Sequence, residues 1–209
     1  MDVPEKRPRR GGARNRSDRE SAELTIHQCE GLLRASERAV ARGMSFNMHV
    51  TLNWFSMAIP ARSSTPATVK FVELARGFLR THGYSLLWVY VQEVGLQHGS
   101  HTHLLLHIPP ELRDAFQRKW PAWKKILIQK FAGHVVCAGR AKHSRSIGRS
   151  YLAFKTAPDL YARQLRAIVE YLMKGAPPEV LDRLLCSQTH RPCGLVFGKR
   201  AGWWQERRC

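Results

Sequence analysis

Two apolar runs, Leu86 to Val91 and Leu104 to Leu106, flank a loop holding Gly95, Gly99 and Ser100, and they constrain this chain more than any other feature. The loop from Val94 to Ser100 is short enough to fold the second run back beside the first as a β-hairpin. Just before the leucines come His101, Thr102 and His103. Side chains alternate along a strand, so the two histidines share one face, about 6.6 Å apart along the chain, while Thr102, Leu104 and Leu106 take the other. On a helix, residues i and i+2 point to nearly opposite sides, so the pair makes chemical sense only as strand. Glu93 falls near the end of the first run, where the hairpin can bring a carboxylate beside both imidazoles. Two nitrogens and one carboxylate oxygen leave coordination positions open, the arrangement of a working metal rather than a closed structural one. The competing reading is a surface hairpin with solvated histidines.

A second element lies between Pro158 and Gly175, where Leu160, Leu165, Ile168, Val169, Leu172 and Met173 recur at helical spacing. Pro158 with Asp159 suits a helix start, and Gly175 followed by Pro177 and Pro178 enforces a stop. Tyr171 and Lys174 stand three apart and are therefore neighbours on the last turn, where a cation suits the helix dipole. The plainer alternative is a tyrosine at the border of the buried stripe with a solvated lysine beside it.

Phe46 to Trp54 adds a third piece, an apolar strand with Thr51 and Asn53 at alternate positions. Taken in order, this strand, the His101-Thr102-His103 run and the Tyr171-Leu172-Met173-Lys174 run resemble the first, metal and nucleophile motifs of the HUH endonucleases, specifically the Rep-type initiators of rolling-circle DNA replication. Each motif is short, and Thr102 is only weakly hydrophobic where the family name calls for a hydrophobe; order and spacing across residues 46 to 174 carry the likeness.

The resemblance implies a divalent metal, magnesium or manganese, held by His101, His103 and Glu93, with Tyr171 as the nucleophile that cuts single-stranded DNA and Lys174 beside it. A phenol with a pKa of about 10 is mostly protonated at neutral pH and needs help from a metal, a base or a nearby positive charge. The product would be a 5′-phosphotyrosyl linkage and a free 3′ hydroxyl. A single-tyrosine mechanism is expected, since Tyr161 lies roughly 15 Å along the same helix and Tyr151 outside it. The resemblance further implies a ferredoxin-like antiparallel sheet with helices packed on one face and the metal and DNA site on the other, with Thr51 and Asn53 as DNA contacts. No Walker-type loop is present, so a separate helicase, and a polymerase, are expected partners.

Composition agrees with a nucleic-acid substrate without specifying it: 34 Lys and Arg against 16 Asp and Glu leave +18. Gly139 to Arg149 reads as a mobile basic loop able to grip a backbone, or as a merely solvated one. Lys199 and Arg200 precede Trp203 and Trp204, and cations beside aromatic rings suit single-stranded bases, with hydrophobic closure of this segment as the alternative. Residues 1 to 22 are nearly free of apolar side chains and are expected to form a flexible basic arm, leaving residues 23 to 209 as a single domain. No apolar run approaches the ~20 residues needed to cross a bilayer, and five cysteines without a Cys-x-x-Cys suggest reduced thiols in cytoplasm. Cys186, His190 and Cys193 form at most a partial zinc site.

The remaining order is mixed α+β: a helix from Ser21 to Arg42, the strand near Phe46 to Trp54, a helix from Pro66 to His82 with Val69, Val72, Ala75 and Leu79 as its buried stripe, then the hairpin. Two short helices broken by Pro121, weak strands at His134 to Ala138 and Tyr151 to Phe154, and the tyrosine helix complete it. Three rival functions remain open. One is a binding module of this fold that has lost cleavage. Another is a metal-independent two-histidine phosphodiesterase, for which His49-Val50-Thr51 fits one motif. The third is a mononuclear iron oxygenase.

Overall fold

A computed structural model describes residues 19–95, 98–132, 141–147, 150 and 152–205. After the two-residue strand β1 (Glu20–Ser21), helix α1 (Ile26–Ala41) begins where Thr25 and Gln28 form a capping box. Strand β2 (Met48–Asn53) ends where the Asn53 carboxamide oxygen accepts from the Ser56 amide at 2.8 Å. Helix α2 (Ser64–Thr81) follows and stops at Gly83, whose φ of +79° suits a residue without a side chain. Its buried stripe is Ala67, Phe71, Ala75, Phe78 and Leu79 along with Val72, whereas Val69 is exposed. Val72, Ala75 and Leu79 are thus buried as expected, and the apolar seam starts at Ala67 rather than at Val69.

The hairpin forms as expected, from β3 (Trp88–Gly95) and β4 (Gly99–Leu106), with Glu93 directly opposite His101. Helices α3 (Arg113–Arg118) and α4 (Trp120–Phe131) meet at Lys119, with Pro121 in the first turn of the second, where a missing N–H costs nothing. Strand β5 (Lys142–Ser146) then pairs with β2. Residues expected to be a mobile loop are thus an edge strand, and its polar sequence explains why no apolar alternation announced it. The strand expected at His134 to Ala138 lies outside the described residues. Where a strand was expected to end at Phe154, Ala153–Thr156 is the short helix α5. A four-residue apolar run carries too little periodicity to separate the two states.

Helix α6 (Pro158–Met173) carries Tyr171 in its last turn, and α7 (Pro178–Arg183) starts on the very proline that ends the preceding segment. Two short strands close the fold: β6 (Val196–Phe197) pairs with β1, and β7 (Ala201–Trp203) with β3.

The main sheet is antiparallel, in the order β5-β2-β4-β3-β7. Residues of α2, α3 and α4 cover one face, over Met48, Val50, Leu52, Tyr90, Leu104 and Leu106. Helices α1 and α6 cover the other, over Val89, Val91 and Leu105. This corrects the expectation of helices on one face only. Consecutive apolar residues in β3 and β4 put hydrophobic side chains on both faces of the sheet, and both must be shielded from water. On β3 and β4 the second face turns polar toward the hairpin loop, where Glu93, His101 and His103 replace the apolar residues.

Candidate functional site

Alternation along three paired strands builds the site. Glu93 on β3, His101 and His103 on β4, and Thr51 and Asn53 on β2 all project to the face that α6 covers, with Thr51 opposite His103 and Asn53 opposite His101. One oxygen of Glu93, Oε2, lies 3.3 Å from His101 Nε2 and 3.8 Å from His103 Nε2. Its other oxygen, Oε1, accepts from the Lys174 ammonium. Lys174 is the C-cap of α6, and its Nζ also sits 3.9 Å from the centre of the Tyr171 ring. That ring stands edge-on to His103, centroids 5.4 Å apart. The chain thus brings Glu93, His101, His103, Tyr171 and Lys174 into one cluster from two elements some 70 residues apart in sequence.

The ring nitrogens test whether this cluster suits a cation. His101 Nδ1 faces the Gly99 carbonyl oxygen at 3.0 Å; a carbonyl only accepts, so Nδ1 carries the proton and Nε2 is left with a lone pair when the ring is neutral. His103 Nδ1 is 3.0 Å from Thr51 Oγ1, which can accept its proton, and 3.3 Å from His49 Nε2. Its Nε2 is buried without a hydrogen-bond partner. One ligand atom from each of Glu93, His101 and His103 lies within 4.8 Å of the other two, so the group could hold a metal ion. Two imidazoles and a carboxylate fit a divalent cation with open positions.

Electrostatics favour the ligating forms of His103 and Glu93. Burial holds His103 well below the ordinary imidazole value, against the pull of Glu93. Burial also acts to raise the Glu93 carboxyl, but the hydrogen bond with His101 and the charges of His103 and Lys174 prevail and bring it down to about 2. Near neutral pH the site therefore presents neutral His103 and an ionised carboxylate.

Sequence reasoning gave two members no place here: His49 stood only in the rival phosphodiesterase motif, and Arg145 only within the basic stretch Gly139 to Arg149. His49, on the same face as Thr51, contacts His103, and Arg145 on β5 donates from Nε to His49 Nδ1 at 3.3 Å. Burial and then the charge of Arg145 push His49 down to about 3. Period-two alternation through Thr51 was the signal for His49; Arg145 sits in a strand with no apolar signal. Phe55, 69 % exposed, was also missed; its side chain lies against Gly99, the residue whose carbonyl orients His101.

The remaining expected contacts fall elsewhere. Lys199 and Arg200 line a groove at the β7 edge rather than this cluster. Arg200 is 1 % exposed, and its guanidinium donates to the Ser21 hydroxyl and to the Ser21 and Gly194 carbonyls. Tyr161 donates to the Phe46 carbonyl at 2.8 Å, on the buried side of α6. Tyr151 lies outside the described residues. Cys186, His190 and Cys193 contact three separate carbonyls and form no ligand cluster among the described residues. No described helix is long and apolar enough to cross a membrane.

Comparison with protein-family models, with curated proteins and with solved structures finds no match for this chain.

Proposed function

We propose that this chain nicks and rejoins single-stranded DNA through a covalent 5′-phosphotyrosine on Tyr171, in the manner of the HUH initiators of rolling-circle replication that its motifs resemble. One observation carries the reading: the Tyr171 ring stands 5.4 Å from a histidine of the candidate metal group, with Lys174 packed between that ring and Glu93. The order of β2, β3, β4 and β5 in the sheet, with α2 and then α3 and α4 in the crossovers, supports a ferredoxin-like core to which α1 and α6 are added.

A magnesium or manganese ion bound by Glu93, His101 and His103 would polarise a phosphate oxygen and orient the scissile group. Tyr171 supplies the attacking oxygen. A P–O bond to the tyrosine forms as the P–O3′ bond breaks, the phenol gives up one proton, and the departing 3′ oxygen takes one up, so the linkage retains the bond energy needed for rejoining. Lys174 places positive charge beside the phenol ring, where it favours the phenolate formed as the hydroxyl gives up its proton. Thr51 positions His103 through Nδ1, and the Gly99 carbonyl does the same for His101. Strand separation and synthesis would fall to a separate helicase and polymerase.

The test is incubation of the full chain with a pool of single-stranded oligonucleotides and manganese, followed by mass spectrometry. A nucleotide adduct on Tyr171 is expected, absent with chelator, and reduced by about 10³-fold or more in Tyr171→Phe. Adducts persisting in that variant would refute the assignment. The contact of His49 with His103 favours the two-histidine phosphodiesterase as the second reading; that reading requires cleavage that survives the chelator and leaves no covalent adduct.

A further inference from the structure

Two adjoining cavities, of about 950 and 600 Å³, lie along β7 and the start of β3 and share Arg76, Trp88, Gly198 and Lys199 as a common wall. None of Glu93, His101, His103, Tyr171 or Lys174 lines either one. Trp88 and Glu93 belong to the same strand, roughly 17 Å apart along it, so the groove and the candidate metal group sit at opposite ends of β3. We propose that this groove is a second single-stranded DNA subsite, which holds the strand away from the reactive phosphate. The inference deepens the function proposed above and rests on it for the choice of DNA.

The groove offers both chemistries that a single strand presents, flat base faces and phosphate charge. Trp88 stacks on Tyr90 with ring centroids 5.5 Å apart and planes 6° from parallel, and its buried Nε1 has no hydrogen-bond partner. Trp203 carries the Lys199 ammonium 5.4 Å from its ring centre and is braced behind by α1, where a Cβ on Gly31 would come within 2.3 Å of the ring. The larger cavity presents Arg19, Arg76 and Lys199 against Glu23, with Arg200 turned inward in its wall, and the smaller presents Lys70, Arg76, Lys130 and Lys199 against Glu73. Glu73 is itself paired with Lys70 at 3.3 Å, and no described carboxylate pairs with Arg76 or Lys199.

Charge narrows the choice of occupant. Residues 1 to 18 join the groove wall at Arg19, but they carry Lys6, Arg7, Arg9, Arg10, Arg14 and Arg16, which the groove repels. A second copy of a chain at +18 is repelled likewise. An acidic peptide satisfies the cations and leaves the indoles without a planar partner. A duplex keeps its base faces stacked and hidden. An unpaired strand satisfies both.

The experiment measures binding of the full chain to a labelled single strand of about 25 nucleotides, in chelator so that no cutting occurs, across a salt series. The double variant Arg76→Gln/Lys199→Gln alters two exposed side chains and should melt at the wild-type temperature. It should bind about tenfold more weakly, with a salt slope shallower by about 1.4, the amount expected for two lost phosphate contacts on a single strand. Wild-type affinity and slope in the double variant would overturn the subsite, as would displacement of the DNA by an equal concentration of an acidic peptide or a duplex. Weakened binding by the double variant in a chain that forms no tyrosine adduct would sustain the subsite and remove only the nicking function.

Discussion

Thr102 and His103 are consecutive residues of β4, both buried, and they point to opposite faces of the same sheet. On the α2 face, the Thr102 hydroxyl accepts from Trp54 Nε1 at 2.7 Å and exchanges a hydrogen bond with Thr68 Oγ1 at 2.9 Å. Each partner is neutral and satisfied, and apolar side chains seal the surroundings. On the α6 face, His103 keeps an unpartnered buried nitrogen beside an ion pair, Glu93 with Lys174, taken out of water. A buried polar group with its bonds complete serves the fold, whereas one left open amid buried charge marks a place where stability has been given up for chemistry.

The contrast can be broken most forcefully at Glu93. Glu93→Gln leaves the Lys174 ammonium buried without its counterion, and a loss of about 3 to 5 kcal/mol is expected in denaturant unfolding. The double variant Glu93→Gln/Lys174→Met should recover most of it while remaining unable to form adducts. A single variant as stable as wild type would mean that the ion pair contributes no such term. On the opposite face the effect should be smaller and purely structural. Thr102→Val keeps the shape but strands the Trp54 N–H and leaves the Thr68 hydroxyl bonded only to the Ser64 carbonyl, at about 1 to 3 kcal/mol, and any nicking by the folded fraction should stay within about twofold of wild type.

Acid should separate the faces further, because Glu93, His49 and His103, which gain protons as pH falls, lie on one of them, whereas Tyr90 and Lys142 on the other are protonated already. His49 is held at about 3 in the fold against an ordinary 6.5, so the metal-free protein should lose stability as pH falls below about 6.5. Glu93, depressed to about 2 from 4.5, adds a second loss as pH falls below about 4.5 toward 2. Each group contributes at most ~1.4 kcal/mol per pH unit. Urea midpoints across pH 7 to 3 would check this, with His49→Gln expected to flatten the upper limb. A midpoint indifferent to that substitution would contradict the burial assigned to His49.

The hairpin and the tyrosine helix were legible because each combines strong periodicity with clear stop signals; alternation put His101 and His103 on one face, and closure of the hairpin brought Glu93 beside them. Strands β5, β6 and β7 were not legible. They are short, they lie at sheet edges, and their neighbours supply the burial that their own sequences do not advertise. The covering of both faces stood in plain view in the unbroken run Leu86 to Val91, which alternation of polar and apolar residues would have interrupted had one face been wet. Thr102 looked like a weak hydrophobe because a sequence does not show that Trp54 and Thr68 would complete its hydroxyl. Arg200, which reads as a free cation, is turned inward by the carbonyl of Gly194 and by that of Ser21, far from it in the chain.

The segment after α7 has a further consequence. His190 bonds to the Ala176 carbonyl, the Arg191 amide to that of Lys174 and the Gly194 amide to that of Val94, before the chain joins β3 as β7. This stretch laces the end of the tyrosine helix to the edge of the hairpin. During synthesis, both halves of the proposed cutting apparatus emerge before the residues that lace them, so this tether is laid over a helix and a hairpin that the ion pair between Glu93 and Lys174 already joins.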